Sequence, residues 1–531
     1  MLFLGVLTIT IAIGAAVWFR LKDSEPARLY IRRPAGTLTF AKDIAPIVFS
    51  HCAVCHRPGQ SAPFSLLSFE DVKKHAKQIA EVTRRRYMPP WLPEAGYGEF
   101  ANERRLSADQ IGIIQQWVAE GLVEGNPADL PSLPPWSEGW QLGQPDLVVK
   151  MPEPYALRPG GRDVYRNFVI PIPTTSTRYV GAVEFLPDNP KIVHHAFMKV
   201  DRTRESRRLD ERDAEPGFDF MITPVSAQMP EGHFLSWVPG NVLSREPNGL
   251  AWTLQKDTDL VLQLHMRPAG KPETLQPSVG FYFTEEPPTN TPFKILLTSR
   301  TIDIPAGVTH YEIKDSFILP VDVEVAAVLP HAHYLCRRME AVASLPGGAQ
   351  KWLLLIKEWD FNWQGDYRYA QPVFLPRGTT ISMRYSYDNS TNNVRNPHQP
   401  PERVVFGPQT TDEMAELWLQ VLPRNRDDLK ALTKIFQSKM QKIFWDRYAY
   451  LLRLNPDDPE AHNGVGMMML SQRREPEAVK HFRRAVELRH LKGHSLAEIA
   501  RELGCSKSAV VGLLHRGVQK LRGLLREDEG V

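Results

Sequence analysis

The sequence predicts a multi-domain chain whose mainly β middle is flanked by all-α segments. Three observations support this. At 531 residues the chain is too long for one hydrophobic core. Its middle carries alternating apolar segments such as VDVEVAAVLPHAHYLC (321–336) and ISMRYSYDNS (381–390), the period-2 pattern of strands. Before it, LSADQIGIIQQWVAEGLVEG (106–125) has apolar residues at helical spacing between an N-cap serine, Ser107, and a glycine stop, and beyond residue 425 the chain again reads as helices.

Composition bounds the functional classes. A hydrophobic share of 42% is ordinary for packed domains. The 45 prolines concentrate in joints such as NPADLPSLPPWSEGW (126–140) and EEPPTNTP (285–292), where they stiffen linkers and interrupt strand pairing. A net charge of +3, from 64 basic and 61 acidic residues, provides no global attraction to nucleic acid or membrane, so any such binding must be local.

The segment FAKDIAPIVFSHCAVCHRPGQSAPF (40–64) contains Cys52-Ala-Val-Cys55-His56. Two thiols at this spacing bond the vinyl groups of haem c, and the histidine that follows ligates the iron. A zinc ribbon would need a second cysteine pair, and the other cysteines, Cys336 and Cys505, are isolated. With RRRYMPPW (84–91) after a helical stretch, residues 37–127 look like a small cytochrome c domain in which Met88 is either the sixth ligand or a packing residue. A Pro-rich linker, 128–148, follows.

Histidines recur in the β region as His194-His195 in KIVHHAFMKV, His265 in DLVLQLHMRP, and His331-Ala332-His333. Met414 closes the run TDEM (411–414). On a strand, His331 and His333 project from one face and can grip one ion, and a thioether beside them makes a soft site that favours Cu(I). Adjacent residues on a regular strand face opposite ways, so His194 and His195 share a metal only where the strand twists or stops pairing. Taken singly, a His-His or His-x-His pair is equally compatible with structural histidines.

The order of the whole set resembles the copper type II, ascorbate-dependent monooxygenases, the family of dopamine beta-monooxygenase and the peptidylglycine hydroxylating enzyme, over about residues 149–425. The resemblance implies an electron-transfer copper held by His194, His195 and His265 and an oxygen-binding, catalytic copper held by His331, His333 and Met414. It also implies two jelly-roll copper domains, 149–290 and 291–425, facing each other across a solvent-filled gap. The peptide-amidating members carry an arginine two residues before their His-x-His. This chain has Leu329 there, which argues against a peptidyl-glycine or other small carboxylate substrate. The animal enzymes are tied by disulfides, whereas this region holds only Cys336. Trp418 and the alternating Tyr385 and Tyr387 are candidates for lining the gap, with core packing the competing role.

Residues 426–489 contain one segment resembling a tetratricopeptide repeat, which needs a neighbouring helix to cover it. Its Met467-Met468-Met469 run reads as helix core in preference to a copper relay. In residues 490–531, HSLAEIARELGCSKSAVVGLLHRGVQKLRGLL resembles region 4 of sigma factors, a helix-turn-helix with Ser506 as cap and Lys507, Arg516, Lys520, Arg522 and Arg526 as its positive charge.

The first 19 residues carry no charge and are just long enough to cross a bilayer. Residues 1–20 are therefore expected to be a membrane anchor or uncleaved signal, placing the protein on a bacterial-type periplasmic or extracytoplasmic face, where covalent haem attachment and copper acquisition take place. Arg20 and Lys22 follow the apolar run, which by the positive-inside rule favours the opposite orientation. That location argues against DNA as a working partner of the tail.

Two functions compete. One is a copper-dependent monooxygenase that hydroxylates a C–H bond of a small molecule with O2, fed by ascorbate, by a redox protein or through the fused haem. The other is a membrane-tethered redox or metal sensor that reports to a DNA-binding end.

Overall fold

The computed structural model describes residues 30–134, 139–161, 163–219, 226–240, 245 and 249–490. The chain divides after Glu138 into two compact units, the N-terminal one also taking in Leu354–Glu358 and Tyr369–Gln371.

The N-terminal unit contains the helices Ala45–His51, Phe69–Arg84 and Ala108–Ala119. Their starts are written in the sequence. The Ser68 side chain accepts a hydrogen bond from the Asp71 N–H, and Ser107 with Gln110 forms a capping box, each satisfying helix donors that lack an internal partner. Phe40, Ile44, Val48, Val72, Ala76, Ile114 and Trp117 form the core these helices share.

The second unit is mainly β. Among the described residues its first half has eleven strands: β1 Leu147–Lys150, β2 Tyr155–Leu157, β3 Val164–Pro171, β4 Arg178–Leu186, β5 Val193–Asp201, β6 Phe218–Asp219, β7 Ser236–Trp237, β8 Trp252–Leu254, β9 Asp259–Met266, β10 Glu273–Leu275 and β11 Ser278–Thr284. One sheet has the order β1-β11-β4-β8 and the other β6-β3-β9-β5-β7, while β2 and β10 pair separately. The next ten strands are β12 Phe293–Thr298, β13 Asp303–Ile304, β14 Tyr311–Ile318, β15 Val323–His331, β16 Cys336–Ser344, β17 Gln350–Ile356, β18 Tyr367–Leu375, β19 Thr380–Tyr387, β20 Val404–Val405 and β21 Glu416–Pro423. They give sheets β12-β21-β15-β18 and β14-β19-β16-β17. In each half the eight principal strands therefore run first-eighth-third-sixth in one sheet and second-seventh-fourth-fifth in the other, which is the strand order of a jelly roll.

Burial shows which faces meet. All eight residues of β9 are buried, as expected for a strand covered on both sides. Leu260, Leu262, Leu264 and Met266 point into the core of the first jelly roll, so Val261, Gln263 and His265 occupy the outer face of the sheet. On that face Val261 packs with Val169, Phe218 and Ala227 of the same jelly roll, and residues flanking it reach the second jelly roll. Arg267 Nη1 donates to Asn362 Oδ1 (3.1 Å), Ser236 Oγ bonds Asp366 Oδ1 (3.3 Å), and Gln420 Nε2 donates to the Gly232 carbonyl (3.3 Å).

Beyond the β region lie the helices Arg426–Leu454, Pro459–Ser471 and Glu475–His490. Lys439 Nζ meets both carboxylate oxygens of Asp315 at 2.6 Å, and Tyr450 Oη bonds Asp303 Oδ2 at 2.8 Å, which fastens the first of these helices to the second jelly roll. Val465, Met469, Ala478 and Phe482 pack together with Tyr448 and Leu452 of the long helix against them. The repeat-like pair thus has the neighbouring helix it needs. Met469 is buried in this core, whereas Met467 is exposed.

The expectation of a membrane-anchored protein on an extracytoplasmic face is corrected here. Among the described residues no helix is long and apolar enough to cross a membrane. The apolar run 1–20 that prompted the expectation lies outside the described residues, so no described element supports an anchor.

Gly232 lies close against the start of the second jelly roll. Its φ is +81°, and a Cβ there would stand 2.1 Å from the Pro292 carbonyl oxygen. Gly232→Ala combines left-handed strain with a backbone clash and is expected to lower stability by about 1–3 kcal/mol. A fall in the thermal unfolding midpoint checks this.

Candidate metal centre

His194, His195 and His265 come together on the outer face of the first jelly roll. Each offers one ligand atom, and these atoms lie within 4.8 Å of one another. The local cause is a β-bulge: Val193 pairs with Met266 and His195 with His265, leaving His194 as an extra residue in β5. A bulge re-aims its side chains, which lets two consecutive histidines serve one site. Their Nδ1 atoms are 3.2 Å apart. With metal–nitrogen bonds of about 2.0 Å, ligand nitrogens stand about 3.3 Å apart on a tetrahedron, so the pair already has ligand spacing.

The third ligand is oriented from behind. His265 Nε2 lies 2.7 Å from Asp163 Oδ2, and Tyr165 stacks on the ring with centroids 4.1 Å apart. A carboxylate accepting the Nε2 proton leaves Nδ1 with its lone pair free, and His265 Nδ1 is buried with no hydrogen-bond partner. Burial pushes His194 down to about 3, with the charges of His265 and Arg267 adding to the effect. His195 and His265 are also lowered by burial first. All three are therefore held as neutral imidazoles, the form a metal binds.

The second cluster sits at the end of β15 in the second jelly roll. His331 is the last residue of that strand and pairs with Glu416, while His333 follows beyond it and not on the strand itself. The two rings are 5.2 Å apart. His331 Nδ1 is 2.5 Å from Gln364 Oε1, and His333 Nδ1 is 3.0 Å from the Asp412 carbonyl. In both cases an oxygen takes the Nδ1 proton, leaving Nε2 as the free ligand atom. Burial pushes His333 down to about 3.

Met414 is joined to this cluster through Glu413. Oε1 of Glu413 accepts from the N–H groups of both His333 (2.5 Å) and Met414 (2.8 Å), and Oε2 accepts from Leu335 (3.0 Å). The Tyr387 hydroxyl donates to the Met414 carbonyl at 2.9 Å. Tyr385 and Tyr387 are fully buried in the jelly-roll core, so of the two roles weighed for them packing holds, with Tyr387 also supporting Met414 from behind.

Phe361, which the sequence did not single out, touches both clusters. Its ring centroid is 5.6 Å from that of His194 and 5.6 Å from that of His333. A buried aromatic side chain therefore stands against both clusters where a solvent-filled gap is expected. The charges of His331 and His333 are felt at His195, so the two groups are electrostatic neighbours.

In the N-terminal unit, Cys52 and Cys55 are free thiols following helix Ala45–His51. His56 Nδ1 is 3.1 Å from the Phe64 carbonyl, which again leaves Nε2 available. Phe64 packs on His56 (4.6 Å) and stacks on His75 (3.8 Å). Met88 is half-buried, with its N–H donating to the Val82 carbonyl at 3.2 Å. The residue types and the freed imidazole nitrogen fit a covalently attached haem.

Comparison with known proteins adds the following. Residues 483–521 match the family described as Sigma-70, region 4. Of these only 483–490 are described residues, and the helix-turn-helix expected over 490–531 lies almost wholly outside them. No curated protein matches the chain. Among solved structures, the major capsid protein P2 of bacteriophage PM2 is similar over 50% of this chain and 99% of its own, at 11% identity and a TM-score of 0.24. PBCV-1 VP54, fitted into a reconstruction of the virophage Sputnik, covers 52% of this chain and 94% of its own, at 8% identity and a TM-score of 0.23. The jelly-roll assignment rests on the strand order described above.

Because Asp163 fixes the His265 tautomer, Asp163→Asn is expected to weaken metal binding at the three-histidine cluster by about 10- to 100-fold. Competition titration against a chelator measures it, and an unchanged affinity would contradict the assigned orientation.

Proposed function

We propose that the two jelly rolls form a copper-dependent monooxygenase that hydroxylates a C–H bond of a small molecule with O2. The observation that supports this best is the gathering of six residues, picked out in the sequence by type and order, into two groups on facing sheets. One group is three imidazoles in one cluster. The other is His331 and His333, whose rings are 5.2 Å apart, with the Met414 backbone tied to that of His333 through Glu413. Their donor sets differ: three nitrogens suit copper in either oxidation state, and two nitrogens with a thioether favour Cu(I). Copper at His331, His333 and Met414 would supply the oxygen chemistry, with a second copper at His194, His195 and His265 supplying an electron.

The chain's own residues do the rest. Asp163, Gln364 and the Asp412 carbonyl set the tautomers of His265, His331 and His333, so that each presents a lone pair. Glu413 keeps the Met414 backbone beside that of His333 although 80 residues separate them in sequence. Phe361 sets an apolar ring against both His194 and His333. Cys52, Cys55 and His56 would hold haem c with Met88 as the second axial ligand, giving the chain its own electron store beside ascorbate or a redox protein as donor.

A second reading is favoured by the Sigma-70, region 4 match, namely a redox- or metal-responsive regulator with a DNA-binding C-terminus.

Protein matured with copper and haem is expected to consume O2 in a reductant- and substrate-dependent way, with Met414→Ala and His265→Ala each losing one copper and falling to background turnover. Oxygen-electrode traces alongside elemental analysis check this. The regulator reading instead predicts DNA affinity that falls steeply with salt and changes on reduction. Intact folding with no copper bound would remove the enzyme reading.

A further inference from the structure

The surface between the two jelly rolls has a second end, remote from the histidines, and it is cationic. Along β5, His195, Phe197 and Lys199 share the outer face, since the intervening Ala196, Met198 and Val200 are buried in the jelly-roll core. On the neighbouring β9, Gln263 lies opposite Phe197, and Val261 opposite Lys199. The second jelly roll repeats the layout. In its sheet, His331 pairs with Glu416, Leu329 with Trp418 and Ala327 with Gln420, and Gln420 in turn pairs with Lys294 on β12. Lys294 thus shares a face with Trp418, whose ring centroid is 5.9 Å from its Nζ.

The two lysines come from different jelly rolls: the chain from Gln228, bonded to Val200, turns at Gly232, which lies against Gln420 and against Phe293 beside Lys294. Burial pushes each down to about 8, and at Lys294 the charge of Lys199 adds to the effect. Neither makes a hydrogen bond or ion pair among the described residues, and Gln420 Oε1 beside them has no hydrogen-bond partner. Two half-buried ammonium groups with no counter-charge among the described residues are costly, so the arrangement calls for an anion to fill it. At about 3.3 Å per residue, Lys199 stands about 13 Å along the strand from His195. Phe197, Leu329 and Trp418 provide an apolar path between the two ends.

We propose that Lys199 and Lys294 form an anion-binding end to this inter-sheet space, and that it selects organic anions with an apolar body. That the anion is the substrate rests on the monooxygenase reading; that the lysine pair binds it does not. Leu329 places no positive charge two residues before His331, whereas a longer carboxylate reaches the lysines.

Calorimetric titration of 3-phenylpropionate and of its uncharged amide into the full-length, metal-loaded protein tests this, with Lys199→Met, Lys294→Met and the double variant alongside. The carboxylate is expected to bind at least about tenfold more tightly than the amide, and each Met substitution to erase that preference. Because methionine removes an unpaired buried charge and keeps much of the stem, the variants are expected to match or exceed the parent in thermal midpoint. Copper content is expected to stay at the parental value. Equal affinity for acid and amide, no binding of the acid, or a preference that survives in the double variant would overturn the proposal. If the protein binds no copper yet keeps the lysine-dependent preference, the monooxygenase reading fails and the anion site stands.

Discussion

The buried carboxylate of Glu413 holds the second cluster in place. Its Oε1 accepts from the backbone of His333 and Met414, and its Oε2 from Leu335, so one side chain joins the loop after β15 to the loop before β21. The residue is fully buried, and burial pushes it up to about 8 while the backbone donors pull it down. A carboxylate in that position with any donor missing would be expensive, which makes the loop geometry cooperative. Met414 and His333 are joined because both of their backbone N–H groups donate to Glu413 Oε1.

The same logic of enforced pairing extends to the imidazoles. For His265, His331 and His333, one ring nitrogen has an oxygen partner. Asp163, Gln364 and the Asp412 carbonyl provide those partners from three different parts of the chain. On each of these three rings the other nitrogen is thereby left with its lone pair. Phe361 and the two lysines complete the covered surface, one touching both clusters and the others closing the far end.

How much of this the sequence could reveal depends on distance along the chain. The histidine pairs, the Cys-x-x-Cys-His run and the helix caps at Ser68 and Ser107 are local patterns and can be read directly. The order His-His, His, His-x-His, Met carried the candidate site. The bulge at His194 is not legible, because it arises only when β5 is paired against β9. Asp163 sits 102 residues before His265 and Gln364 33 residues after His331, and nothing nearby marks either as a partner. Lys199 and Lys294 each look like an ordinary outward-facing charge, and only the packing of one jelly roll on the other makes them a pair. The sequence gives the jelly rolls only through resemblance, since period-2 patterns locate strands without fixing their order. The membrane expectation came from a single apolar run and finds no support in any described element.

X-ray absorption at the copper edge tests the central claim most directly, because it sees ligand types independently of turnover. On protein loaded with two Cu(I) ions, the account predicts imidazole scattering from both sites plus one sulfur scatterer per two coppers, with the sulfur lost in Met414→Leu and the imidazole signal retained. Spectra without sulfur, or unchanged by that substitution, would contradict the account.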